Sequence, residues 1–430
     1  MYATLQDGSI EAYFWKLVES GKEEEFKARL LRSSPLGVRT LLPTGLTEHQ
    51  GKQVICYPWI KGVTLASIRL HLLLQRSSKF HGLKMPFWLA MSQLLNVAAQ
   101  RADDMVASYN LGHPEAFNQG PSGIHDAFSQ RLLQNSRLNH FYGTCGVPLG
   151  NGHRPWTVDE FLNANITVNG KSQPSLATLF SEAASYLCPS YLSQQLQSIG
   201  HGDLHFGNII VCDTLPNGTY QSMYVDYGFA GVHSPWLDIA KVIYNDSFHP
   251  YFYADHLGKN LFHEKVISLQ VTKKAVSLSF SAMCFQSPSD RDRLEVGDVV
   301  GKALFELAKH KLIEPVLKLE MEAGRGPRID GKGTPVSFKH SLPPFIYLGI
   351  QGATNDSSGL KILSSALLCC ALLTRNWNER PDILWCNVAI ALQLREALLE
   401  SNDQDARRRV ASWEKHTNIL FKGSDPVFLL

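Results

Sequence analysis

Between His201 and Val211 the chain reads His-Gly-Asp-Leu-His-Phe-Gly-Asn-Ile-Ile-Val, and a second acid opens Asp226-Tyr227-Gly228 after the apolar stretch Met223-Tyr224-Val225. Asp203 stands five residues before the amide Asn208. These residue types at this spacing suit the movement of a phosphoryl group. Transfer to a hydroxyl needs one carboxylate to orient the attacking O–H and accept its proton, and the nucleotide's oxygens need Mg²⁺ held by hard oxygen ligands. Asp203 fits the first role. Asn208 and Asp226, at neighbouring strand ends, offer a carboxamide oxygen and a carboxylate oxygen for the metal, which neutralises charge as it develops.

An isolated His-x-Asp arises often by chance. Here it coincides, in order, with the Asn offset, the apolar run Ile209-Ile210-Val211 and the Asp-x-Gly turn. The combination resembles the aminoglycoside phosphotransferase and choline kinase superfamily, small-molecule relatives of protein kinases, whose two loops carry H-G-D-x-x-x-x-N and D-x-G. Protein kinases proper carry Arg where this chain has Gly202. The resemblance is close over the two loops and loose over most of the chain. It implies a two-lobed, protein-kinase-like α+β fold: a reduced N-terminal lobe with an antiparallel sheet (1–61) and a large, mainly helical C-terminal lobe with insertions (62–430). ATP, or another NTP, and Mg²⁺ are the implied cofactors.

The elements that must position these groups begin at the N-terminus. Tyr2 to Leu5 and Ile10 to Val18 are β-rich and flank Asp7-Gly8, a strong hairpin dipeptide. Lys16 lies in the second strand. In the family a strand lysine at this place pairs with nucleotide phosphates and with a helix glutamate. Glu23 to Leu31 reads as that helix, and because Glu23, Phe26 and Leu30 share a face, Glu23 is the expected partner. An acidic first turn also simply favours the helix dipole. Only fifteen residues precede Lys16, space for one hairpin but not for the family's usual first strand and phosphate-covering loop. That departure leaves three readings: a clamp made by the Asp7-Gly8 turn, a more exposed nucleotide, or lost turnover.

The strand Gln53 to Gly62 resembles the hinge between lobes, where the Pro58 carbonyl and the Ile60 N–H would hold adenine; Pro lacks only the donor. An interior strand ending in a turn is the alternative. His201 is expected to brace the backbone near Asp203 and Asp226, though it is kept with His205 as a catalytic-loop candidate. His205 is expected on the acceptor side, as a substrate contact or a solvated histidine. Asp238, in a stretch resembling the family's D-[IL]-A helix start, is expected to be structural.

Periodicity predicts a helix over 86–110, an irregular insertion over 143–169, a helix over roughly 175–198, and a mostly helical region from 250 onward with buried helices at 360–375 and 383–399. The glycine-rich stretch 323–335, with Arg325 and Arg328, reads as a flexible basic loop. Acids in the insertion that should line the acceptor pocket, Asp103, Asp104, Asp159 and Glu160, are scattered, which argues against a polycationic acceptor.

A formal charge of +2 across 430 residues gives no argument for a nucleic-acid or membrane partner. The longest apolar run is too short to span a bilayer, and no signal peptide is visible. Eight cysteines without C-x-x-C spacing read as mostly buried, reduced thiols of a cytoplasmic protein. The function implied is ATP-dependent phosphorylation of a hydroxyl, most simply on a small molecule. The alternatives are a Ser or Thr of a peptide precursor, and a nucleotide-binding pseudokinase scaffold, which has no chemical need of Asp203, Asn208 and Asp226 together.

Overall fold

The computed structural model describes residues 2–4, 10–18, 21–75, 87–111, 123–150, 152–214, 220–250, 252, 267–272, 274–280, 284–286, 295–297, 299–323 and 358–399. The N-terminal strands β1 (Tyr2–Thr4) and β2 (Ile10–Val18) pair antiparallel, Tyr2 opposite Ala12 and Thr4 opposite Ile10. With β3 (Gly45–His49) and β4 (Lys52–Pro58) they form a four-stranded sheet in the order β1-β2-β4-β3. Gln50 and Gly51 turn β3 into β4 with φ of 51° and 72°, the left-handed pair that a two-residue hairpin demands. One helix, α1 (Gly21–Arg32), packs on this sheet through Ala28, Leu30 and Leu31.

The chain leaves the sheet after Pro58, and β5 (Val63–Thr64) joins β9 (Ile209–Thr214), itself paired with β10 (Tyr220–Tyr224). Gly62 passes so close to this hairpin that a Cβ would lie 2.4 Å from the Val211 carbonyl oxygen, so a side chain here would push the connection away. Beyond it come α2 (Leu65–Gln75) and α3 (Phe87–Tyr109). The latter runs inside the span read from periodicity, and its buried stripe is Met91, Leu94, Ala98, Arg101, Met105 and Tyr109. Next are α4 (Gly123–Leu132) and α5 (Ser136–Tyr142).

The 143–169 segment is more ordered than its Gly, Pro and Asn content suggested. It contains α6 (Val158–Leu162), opened by a capping box of Thr157 and Glu160, and β6 (Asn165–Val168). The helix read over 175–198 is broken: α7 (Leu176–Tyr186) stops before Pro189, whose missing N–H and ring forbid continuation, and α8 (Pro189–Leu192) is one turn. The described residues after 250 are mostly helical, as expected, with short strands ahead of the helices. The strands β12 (Ile267–Val271) and β13 (Ala275–Phe280) join β6 and β7 (Lys171–Ser172) in the order β12-β13-β6-β7, β13 running parallel to β6.

The short pair β8 (Ser198–Gly200) and β11 (Gly231–His233) brackets the two motif loops, followed by α9 (Pro235–Val242), which winds on into a wider π-turn at Ile243–Phe248. Behind it the helices Ser358–Leu373 and Pro381–Leu399 are buried along most of their length. A small antiparallel sheet with its helix beside a large helical part is the two-lobed α+β arrangement that the motifs implied. Of the seven cysteines whose burial is described, Cys369, Cys370 and Cys386 are buried and the other four are half-buried or exposed, fewer buried than expected. No helix among the described residues is long and apolar enough to cross a membrane. The Asp7-Gly8 turn and the basic loop with Arg325 and Arg328 lie outside the described residues.

Candidate active site

Lys16, on β2, donates to Asp226 Oδ1 at 2.8 Å and to Glu24 Oε1 at 3.2 Å. Partial burial alone would lower its pKa, but the two carboxylates outweigh it and raise the ammonium's pKa. Glu24 rather than Glu23 is therefore the lysine's partner. The buried face of α1 is Glu24, Ala28 and Leu31, whereas Glu23 is exposed and bonds Lys27 at 2.5 Å. Glu24 also receives the Tyr57 hydroxyl at 3.1 Å, and that hydroxyl shares a 3.1 Å hydrogen bond with Tyr227. Lys27 reaches the Gly228 carbonyl at 2.6 Å. Sheet, helix and Asp-Tyr-Gly turn are thus stitched together by charged and phenolic groups.

Asp226 adopts φ of +57°, a left-handed conformation rare for a residue with a Cβ, and its side chain is 59% exposed. Next to it, the Val225 N–H bonds the Asn208 carbonyl at 3.0 Å, which ties the turn to the catalytic loop. The Asn208 side chain donates its NH₂ to the Asp203 carbonyl at 2.8 Å, so its oxygen is the atom left for another partner. A carboxylate and a carboxamide oxygen fit Mg²⁺, which is commonly held by one or two protein oxygens and completed by substrate phosphates. No group of three or more His, Cys, Asp and Glu side chains among the described residues forms a closed metal cage.

Asp203 is largely buried, its carboxylate ion-paired to Lys241 at 2.9 Å. Burial pushes its pKa up, but the Lys241 ammonium prevails and holds it below the usual range, so the group is ionised at neutral pH. His205 accepts the Gly207 N–H at 3.0 Å through Nδ1 and holds Nε2 3.7 Å from Asp203 Oδ2, half exposed at the loop surface. His201 is fully buried, and neither ring nitrogen has a hydrogen bond among the described residues. Burial keeps it neutral, and it braces the loop by packing edge-on to Tyr227 rather than through a hydrogen bond to the backbone. Enclosed there, it cannot touch a substrate in this conformation. Gly202 has φ of +81°, and an added Cβ would lie 2.3 Å from the Phe229 carbonyl oxygen.

Asp238 is buried and receives Tyr109 at 3.3 Å and pairs with His233 at 3.0 Å, away from the reacting groups. Pro58, at the end of β4 opposite Tyr13, and Ile60 just beyond it are half-buried where the chain leaves the four-stranded sheet.

Sequence reasoning missed two supports. Arg101 of α3 and Asp246 of the π-turn form an ion pair, both side chains 2% exposed. Arg101 also donates to the Leu204 carbonyl at 3.3 Å, and Asp246 accepts the Phe206 N–H at 2.9 Å, so the pair clamps the loop on either side of His205. A charge inside the apolar stripe of α3 was the available signal. Lys241, in a helix whose every residue is buried, was the second.

No family model and no curated protein sequence matches this chain. Among solved structures it is similar to the aminoglycoside phosphotransferase APH(3'')-Id from Streptomyces rimosus in complex with ADP and streptomycin, at 13% identity over 61% of this chain and 87% of that one, TM-score 0.30. It is also similar to the aminoglycoside-3'-phosphotransferase of type VIII (12%; 62% and 88%; TM-score 0.32). A thermostable mutant of APH(4)-Ia in its apo form gives 13% identity, 74% and 88% coverage, and a TM-score of 0.32. At that distance the geometry carries the functional case by itself.

Proposed function

We propose that this protein is a phosphotransferase that moves the terminal phosphoryl group of ATP, or another NTP, to a hydroxyl of a small molecule. One observation carries the proposal: Lys16 and Asp226, 210 positions apart, meet directly, and Asn208 and Asp203 are hydrogen-bonded into the same assembly. A scaffold has no chemical need of all four. Lys16 is held by Glu24 while its second partner, the exposed Asp226, can be exchanged for a phosphate oxygen. Asn208 and Asp226 would hold Mg²⁺, which supplies charge neutralisation at the phosphates. Asp203 orients the acceptor hydroxyl and accepts its proton, and the Pro58 carbonyl and Ile60 N–H take the base.

The acceptor is not a polycation. Asp104 is taken up by Arg39 and Tyr224 in a part-buried network, and Asp103 and Glu160 sit in separate surface pairs with Lys311 and Arg154, so these acids form no common anionic lining. An aminoglycoside panel phosphorylated as fast as other acceptors would overturn this.

The test of the whole proposal is Asp203→Asn, isosteric but unable to accept a proton. Turnover should fall by roughly 10²–10⁴ with nucleotide affinity nearly intact. ATP consumption by parent and variant is measured against fractionated metabolites and peptides. Equal activity in the two removes Asp203 from the mechanism, and activity confined to peptide fractions replaces the small-molecule acceptor with a peptide one.

A further inference from the structure

A carboxylate that must meet a hydroxyl needs one oxygen in a fixed place, yet an aspartate's terminal torsion is broad and roughly two-fold. Something has to hold Asp203. Lys241, on the last turn of α9, brings Nζ to 2.9 Å from Oδ1 with a side chain only 11% exposed. Its ammonium lies 6.0 Å from the centroid of the Phe128 ring of α4 and 5.9 Å from that of Phe229, just after the Asp-Tyr-Gly turn. Both rings lie within reach of a cation–π attraction to the ammonium.

The two oxygens of Asp203 are consequently unequal. Oδ1 is closed to solvent and has no hydrogen bond among the described residues, so the Lys241 ammonium holds it as an ion pair, while the side chain as a whole keeps 17% exposure. Oδ2 is the oxygen left to face an acceptor, with His205 Nε2 3.7 Å away. A lysine in this position is costly: its neighbours Trp236, Leu237, Ile239 and Ala240 are all fully buried, and an ammonium gives up hydration and rotamer freedom there. A methionine of similar length would fill the same space without that cost. Among the described residues the only carboxylate Lys241 pairs with is Asp203, so its charge has one evident use.

We propose that Lys241 is a positioning residue: it anchors Oδ1 of Asp203 and thereby presents Oδ2 to the acceptor hydroxyl. This rests on the role of Asp203 proposed above. It adds to that role a residue outside both motifs, and it makes α9 part of the machinery.

The experiment compares Lys241→Met and Lys241→Arg, each crystallised with Mg²⁺ and a non-hydrolysable ATP analogue and each assayed for MgATP hydrolysis with water as the acceptor. In the Met variant the Asp203 carboxylate should rotate away from its parent orientation, and kcat should fall by roughly 10–100-fold while KM for MgATP stays unchanged. Arginine should restore the orientation and most of kcat. A purely packing role predicts the reverse, with Met tolerated and the bulkier Arg not. In an Asp203→Asn background, Lys241→Met should cost nothing more. A parent-like Asp203 orientation in the Met variant overturns the proposal, and the structures decide this even where water is too slow an acceptor to read. Should Lys241→Met fail to fold, Lys241→Gln replaces it with the same expectations. Loss of activity in Asp203→Asn beside full activity in Lys241→Met sinks only the role of Lys241. Full activity in Asp203→Asn sinks the role of Asp203 itself.

Discussion

At the mouth of the site Lys16 meets Asp226 with side chains 30% and 59% exposed, and beneath the catalytic loop Arg101 meets Asp246 with both side chains 2% exposed. The chemistry of the two pairs is alike and their access to water is not. An exposed pair is worth about 0–1 kcal/mol and can be traded for a ligand at little cost. A buried pair contributes little net stability when intact, but losing one partner strands the other in a medium that cannot solvate it. The upper pair is therefore suited to exchange and the lower one to fixing a loop. The lower pair also makes the backbone contacts, to Leu204 and Phe206, that hold Asp203 where it is.

The contrast is most open to attack at the lower pair. Asp246→Ala should cost about 3–5 kcal/mol in urea unfolding, and replacing both partners by apolar residues should cost much less than the single change. A single-variant cost under about 1 kcal/mol would mean that water reaches the pair and that the two regions do not differ.

The upper pair gives the complementary case. Asp226→Asn keeps a residue that tolerates left-handed backbone better than alanine does, so stability should stay within about 1 kcal/mol of the parent. Affinity for the Mg²⁺–nucleotide complex should nevertheless drop by at least about 10-fold, because Asp226 is the carboxylate proposed to hold the cation. Calorimetric titration that finds ATP bound equally well with and without metal would remove Asp226 from that role.

A third carboxylate stands between these extremes. Glu320, mostly buried and with no cationic partner among the described residues, accepts the Trp236 indole N–H at 2.5 Å, and burial raises its pKa to about 7. Since the folded state binds this proton more tightly than the unfolded chain, stability from this group is greatest below the ordinary glutamate pKa and falls as pH rises from about 4.5 towards 7. The loss should be roughly 1 kcal/mol after allowance for solvent at the rim. Glu320→Gln keeps the acceptor and should flatten that part of the Tm–pH curve. An unchanged curve would show that the carboxyl is solvated like the upper pair.

How much of this the sequence disclosed depended on how local the information was. The catalytic loop and the Asp-Tyr-Gly turn are each written within a dozen residues, and the α3 stripe repeats often enough to declare its period. The partner of Lys16 was misread by one position because a one-residue error turns a side chain about 100° around a helix. Phe26 drew the reading to the Glu23 face, while Ala28 and Leu31 turn Glu24 inward. The Arg101–Asp246 and Lys241–Asp203 pairs depend on segments brought together by the fold, 145 and 38 positions apart, which no local pattern encodes. In 143–169 the Thr157–Glu160 capping box was present in the letters, but glycine and proline content was weighed above it.

The contact at Gly202 limits how this protein could be remodelled. With no room for even a methyl group between that residue and the Phe229 carbonyl, the floor on which Asp203 and Asp226 stand has no adjustable dimension. A library that varies the loops themselves would mostly yield broken proteins. New acceptor scope for the proposed reaction would have to be sought at the surface near His205 and not at Phe128, whose ring lies against the Lys241 ammonium proposed to hold Asp203.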